Sequence, residues 1–318
     1  MRVPLKLRAA AAVDVVALGE NSLDVVAVVG AANRVAAKQP LDAFRLEPGG
    51  QMATAALGCA RLGLRTRYIG AFGDDEWSRR ARQPLDDAGV EVVAIGCPGT
   101  PGRVAVIVVE PSGDRVVYER RDPALVITRD AVTPAMVADA RVLLVDATQP
   151  AAAVRAAQLA RDAGVISLSD VDRPSPEADA LLAEVDVAIV PESFVLARAQ
   201  TLDLRSGLSS LATHCRHAAI VVATRGAEGT LTWTPEGFIE SPAVPGPVVD
   251  TTGAGDAFRA GFAAALMHFG EGGRLLDVLQ FANATGALNC RAVGAQAALP
   301  SRAEVLTHVT PGARHLSK

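Results

Sequence analysis

Short apolar runs closed by turn residues alternate along the chain with longer stretches whose apolar positions recur at helical spacing. The runs predict strands at residues 13–18, 66–72, 90–95, 142–146, 165–170, 187–190 and 219–224. The periodic stretches predict helices at 51–62, 76–88, 151–163, 177–183, 208–216, 256–269 and 274–290. Strand alternating with helix predicts an α/β fold, a doubly wound, mostly parallel sheet flanked by helices. Gly63, Gly89 and Gly164 fall at the joints, where helix C-caps or strand entries are expected. Two places break the rhythm. Residues 25–47 have weak periodicity and scattered charge. Residues 103–121, RVAVIVVEPSGDRVVYERR, read as a β-hairpin turning at 111–114.

Composition narrows the picture. The chain has 318 residues; half are hydrophobic but only 4% aromatic, so the core is built from Ala, Val and Leu, which suits helices packed on a parallel sheet. A net charge of −4 without a long basic run argues against nucleic-acid binding. Cys59, Cys97, Cys215 and Cys290 are scattered, with no metal-binding spacing, and read as reduced thiols of a cytoplasmic protein. No stretch reaches transmembrane length, and residues 1–12 read as a loose N-terminal extension rather than a signal peptide. Residues 13–318 then form a single domain.

The densest chemistry is in residues 248–258, VVDTTGAGDAF. A strand end runs into the small turn Gly253, Ala254, Gly255. Asp256 then opens a helix whose Ala257, Phe258, Gly261, Phe262, Ala265, Leu266 and Phe269 share one face. A glycine turn feeding a helix N-terminus offers unpaired N–H groups and the positive end of the helix dipole, a site for phosphate. A carboxylate inside a phosphate site is costly unless it takes a proton from an attacking hydroxyl. The pattern therefore points to phosphoryl transfer to an alcohol, with Asp256 as base; a plain helix cap is the alternative. A second constellation lies at Gly49 and Gly50, where glycines allow close backbone approach, followed by Gln51 and Thr54 on the first turn of a helix ending in Leu62 and Gly63. There is no P-loop lysine motif and no dinucleotide fingerprint after the first strand.

With these motifs in this order, the chain from about residue 14 to 300 resembles the ribokinase-like (PfkB) family of carbohydrate kinases. The resemblance implies an ATP-dependent kinase with residues 253–256 as anion hole and Asp256 as base. It implies a small β lid formed by about 25–47 and 100–122. It places Asp24, after Gly19 and Glu20, on the sugar hydroxyls, and Thr54 where the family usually has Asn. It assigns Thr224, Gly226 and Gly229 to the ATP phosphates and Asn283 to the adenine. It implies K⁺ at Asp250 and Thr252, and Mg²⁺ organised by an Asn-x-x-Glu element. That element is degenerate here, with Pro191 and Phe194 at its two positions, which leaves Glu192, Asp170 or Asp172 as substitutes. Within the family, a sugar acceptor is favoured over a nucleoside, because the lid stretches hold only Phe44 and Tyr118 for stacking. The lid is rich in cations, Arg34, Lys38, Arg45, Arg103, Arg115, Arg120 and Arg121. Arg120 and Arg121 are placed to fork onto an anionic sugar, unless they are only a solvated surface. An idle sugar- or nucleotide-binding protein is the reading from another class. The resemblance also implies a homodimer through the lid, with no nucleic-acid or membrane partner.

Overall fold

The computed structural model describes residues 1–30, 38, 40–110, 115–215 and 217–309. Its strands are β1 (Val15–Leu18), β2 (Ser22–Val29), β3 (Leu41–Gly49), β4 (Thr66–Phe72), β5 (Glu91–Gly96), β6 (Val104–Val109), β7 (Arg115–Arg120), β8 (Val142–Asp146), β9 (Ile166–Asp170), β10 (Val187–Pro191), β11 (Ile220–Thr224), β12 (Thr230–Thr234) and β13 (Gly237–Ser241). Its helices are α1 (Gln51–Arg61), α2 (Glu76–Asp87), α3 (Pro134–Val137), α4 (Pro150–Asp162), α5 (Pro176–Leu182), α6 (Glu192–Ala199), α7 (Leu204–His214), α8 (Ala254–Phe269), α9 (Leu275–Asn289) and α10 (Arg302–His308).

Nine strands make one sheet in the order β13-β12-β11-β10-β9-β8-β1-β4-β5. It is parallel from β11 to β5, and β12 and β13 add an antiparallel edge. Alternate residues of β1 feed two cores. Val15 and Ala17 pack with α1, α8 and α9, while Val16 and Leu18 pack with α4, α5 and α7. Covering both faces is what allows β1, β8 and β9 to be buried along their whole length. From β1 the chain first builds outward through β4 and β5, then returns to β8 on the other side. The order reverses at β1/β8, and in open α/β sheets a crevice opens outside the strand carboxyl ends at such a point.

A second sheet, β3-β2-β6-β7, stands at the β1 end, where Arg103, just before β6, pairs with Glu20 at 3.0 Å. Its two pieces match the expected lid stretches, although β2 begins at Ser22 and so takes in Asp24, which the sequence reading left in a loop. The turn at 111–114 and Arg34 lie outside the described residues.

Several boundaries differ for local reasons. Helix α7 starts at Leu204 rather than 208, because the Asp203 carboxylate caps the N–H groups of Arg205 and Ser206. The α10 helix, absent from the sequence reading, carries a capping box between Ser301 and Glu304. Residues 1–12 are not loose. Val3 and Leu5 are buried, Val3 N donates to the Gly273 carbonyl at 2.8 Å, and Leu275 N donates to the Met1 carbonyl at 3.3 Å. The apolar side chains at positions 3 and 5 were the overlooked signal. All four cysteines are free, and among the described residues no helix is long and apolar enough to cross a membrane.

Candidate active site

The N-terminus of α8 is assembled by its preceding loop. Asp250 Oδ1 accepts from Thr252 N at 2.9 Å and Thr252 Oγ1 at 2.7 Å, and Oδ2 accepts from Gly294 N at 2.9 Å. Asn289 Nδ2 donates to the Thr252 and Ala295 carbonyls, tying the same loop to α9. Gly253 sits at φ +76°, and a Cβ there would lie 2.5 Å from the Ala295 carbonyl oxygen. Only glycine meets both conditions. No side chain caps α8. Its first-turn N–H groups, including those of Gly255 and Asp256, have no partner within the helix, and Ala254 and Gly255 line a cavity of about 580 Å³. Thr224, Gly226, Gly229 and Asn283 line the same cavity. Asn283 is less free than expected for a base contact, because its Nδ2 donates to Ser241 Oγ and to the Ser241 and Pro242 carbonyls. Glu192, at the β10 end, stands 3.7 Å from Arg225 Nε.

Asp256 lies beside Asp170, the last residue of β9, each carboxyl acting on the other, and Asp170 Oδ2 is buried without a hydrogen-bond partner. Arg259, one turn along α8, pairs with Asp170 through Nη2 at 2.8 Å. It also donates to the Ile189 carbonyl at 3.1 Å and the Ser169 carbonyl at 3.4 Å. Arg259 and Asp170 are both buried. Gln51 Nε2, at the start of α1, reaches Asp170 Oδ1 at 3.4 Å. Burial first, and then Asp170 itself, push the Asp256 carboxyl well above the usual range, against the opposing pull of Arg259. Burial also raises Asp170, again opposed mainly by Arg259. Asp170, weighed above as a magnesium carboxylate, thus already has a guanidinium as its cation. Arg259 was missed because its partners become neighbours only through the order of the sheet.

On the other side, Asp24 is buried at the base of the lid. Its Oδ1 has no hydrogen-bond partner, and Arg103 Nη1 stands 3.9 Å away. Burial raises its carboxyl, opposed by the neighbouring Ser22 hydroxyl and by Arg103. The two glycines fit this corner. A Cβ on Gly49 would lie 2.5 Å from Asp24 Oδ2, and one on Gly50, at φ +92°, would lie 2.5 Å from the Asn21 Cα. Their close approach is therefore to the protein's own Asp24 and Asn21. Thr54 is fully buried and accepts from Gln296 Nε2 at 3.3 Å. Gln296 Oε1 is buried without a partner, a polar atom that the sequence reading missed.

The lid arginines bear on the anionic expectation. Register pairs Ala105 with both Asp24 and Glu119, which places these three on one face, and pairs Val104 with Arg120, on the other. Arg120 is exposed beside Val106 and Tyr118 and points away from Asp24. Arg121 is spent on Glu20 and the Thr148 carbonyl. On the Asp24 face, Arg45 is exposed opposite Val26, and Arg103 lies among three carboxylates, with Glu119 at 2.7 Å, Glu20 at 3.0 Å and Asp24 at 3.9 Å. Both lid aromatics, Phe44 (paired with Ala27) and Tyr118 (paired with Val106), are exposed on the outer face.

Comparison with known proteins places the chain in a family. The model of the pfkB family of carbohydrate kinases matches residues 13–302. A fructokinase from Solanum tuberosum is 27% identical over 94% of this chain and 96% of its own. An ATP-dependent ribose-1-phosphate kinase from Halopiger xanaduensis is 30% identical over 80% of this chain and 84% of its own. The structure of Arabidopsis thaliana ribokinase complexed with ribose and ATP superposes with a TM-score of 0.80 at 21% identity, covering 94% of this chain and 98% of that one. The chain belongs to the pfkB family of carbohydrate kinases, enzymes that use ATP to phosphorylate a sugar hydroxyl.

Proposed function

We propose that the protein transfers the γ-phosphoryl group of ATP to a hydroxyl of an uncharged sugar held between Asp24 and Asp256. The observation that carries this reading is the uncapped start of α8, which opens on the large cavity and carries Asp256 against Asp170, the carboxylate that Gln51 also reaches from the Gly49–Gly50 corner. ATP lies in the cavity with its γ-phosphate on the N–H groups of residues 253–256. Asp24, Gln51 and the Gly49–Gly50 corner hold the acceptor, with Thr54 acting through Gln296. Asp256 faces the attacking hydroxyl.

A neutral acceptor is favoured because Arg103 is already surrounded by carboxylates and Arg120 points outward. A nucleoside acceptor is disfavoured because neither lid aromatic lies on the face that carries Asp24. Among the described residues no three acidic, His or Cys side chains gather around a metal position. Glu192 alone suits Mg²⁺ held chiefly by phosphate and water. Such an ion neutralises charge on the transferring group. The Asp250 carboxylate and the loop carbonyls of Thr252 and Ala295 form an oxygen-rich turn that suits K⁺. The exposed apolar outer face of the lid, with Phe44, Val106 and Tyr118, suits pairing with a second copy.

The test is coupled ADP release with Mg²⁺-ATP and K⁺ across neutral sugars, acidic sugars, sugar phosphates and nucleosides. Asp256→Asn should lower kcat on the best acceptor by about a hundred- to ten-thousand-fold with ATP binding retained. Near-normal turnover of that variant removes Asp256 from the role.

A further inference from the structure

Two carboxylates side by side in a buried site hold a proton between them, because two bare anions repel. Asp256 and Asp170 lie in this way, with Asp170 Oδ2 buried and without a hydrogen-bond partner, while the Arg259 guanidinium grips Asp170 Oδ1 at 2.8 Å. Arg259 is itself fixed by the carbonyls at the ends of β9 and β10. A buried arginine that pairs with one carboxylate of such a couple stabilises the charge there and sends the shared proton to the other. The resting arrangement is therefore Asp256–H donating to Asp170⁻, with Arg259⁺ behind it. A protonated Asp256 is no base on its own.

We propose that Asp256 and Asp170 act as one proton-relay pair, with Arg259 as its fixed counter-charge, so that the acceptor's proton leaves a carboxylate on neither member. The inference rests on the kinase reading. As the acceptor oxygen bonds to the γ-phosphorus, the bond from that phosphorus to the bridging oxygen breaks and its electron pair leaves with ADP. The hydroxyl proton passes to one Asp256 oxygen while Asp256 gives its own proton to Asp170. The pair goes from one proton to two, and one returns to solvent after product leaves. The groups whose charge bears on the pair are Arg259 from α8, Glu20 from the β1 end and Asp172 beyond β9; Gln51 from α1 adds a hydrogen bond. Asp170 and Arg259 are positioning residues in this scheme, and of the three only Asp256 touches the acceptor.

The sign of the pH effect follows. The pair works only while it has room for a second proton, so the rate falls on the acid side as that proton loads. Arg259 opposes loading. Removing it moves the acid limb of kcat to higher pH. Asp170→Asn removes the neighbouring negative charge and leaves Arg259 unpaired, which moves the acid limb to lower pH and lowers kcat.

The experiment is kcat and KM by coupled ADP release, from about pH 5.5 to pH 9, on the full chain with an acceptor that the wild type turns over. Wild type, Asp170→Asn, Arg259→Met and Arg259→Lys are compared, with thermal melts and ATP binding as controls on folding. The expected result is a loss of about a hundredfold in kcat for Asp170→Asn with KM changed little. The acid limbs of Asp170→Asn and Arg259→Met should move in opposite directions, and Arg259→Lys should return most of the wild-type profile. If Arg259→Met fails to fold, the Asp170→Asn and Arg259→Lys profiles still decide. An active wild type with a near-normal Asp170→Asn overturns the relay and leaves the kinase reading standing. A wild type inactive on every acceptor overturns both.

Discussion

The two ends of the crevice are built from different materials. The proposed nucleotide end is mostly backbone: an uncapped helix start, a glycine at positive φ, and a loop whose N–H groups are held by Asp250 and whose carbonyls are held by Asn289. The proposed acceptor end is mostly charged side chains, with Arg103 shared among Glu20, Asp24 and Glu119. Every ATP molecule presents the same phosphates, so main-chain donors suffice there. A sugar must be told from its relatives by the placement of its hydroxyls, and that takes side chains. One end therefore suits a shared chemistry, and the other can be retuned by substitution without touching it.

If this contrast holds, damage at the two ends should separate in kinetics. The larger effect is expected from Gly253→Ala, which forces a Cβ against the Ala295 carbonyl at a positive φ. The strain, about 1–3 kcal/mol, displaces the first turn of α8, and kcat should fall by about a hundredfold with acceptor KM little changed. Asp24→Ala should do the reverse. Loss of charged hydrogen bonds worth about 1.5–3 kcal/mol should raise acceptor KM by roughly ten- to a hundredfold and leave ATP KM alone. An equal rise in both constants would mean that the two ends are not separable. Smallest is Arg120→Ala, which should leave KM within about twofold for neutral and anionic acceptors alike. A large loss confined to anionic sugars would restore Arg120 to the site.

The same contrast explains what was legible in the sequence. Residues 253–256 could be read locally, because a phosphate site made of backbone needs glycines next to each other. Strand and helix positions were legible wherever burial on both sheet faces gave apolar runs, as in β8 and β10. Asp24 was located by resemblance, but not its place inside β2. Arg120 and Arg121 are neighbours in sequence with opposite fates, and only the pairing register of β6 with β7 says which one faces in. Asp170 and Arg259 carry no mutual signal, being 89 residues apart in sequence; β9 brings one to the helix that carries the other (259 − 170 = 89).

The N-terminal segment has a consequence for how the chain is made. Arg2 hydrogen-bonds to Gly272 across 270 residues, and Met1 and Val3 bond at the start of α9 beside it. Val3 and Leu5 are thus covered only once partners some 270 positions further along the chain are in place. A polar substitution at either position acts on the closing step of assembly, and its cost should appear in yield of folded protein before it appears in turnover.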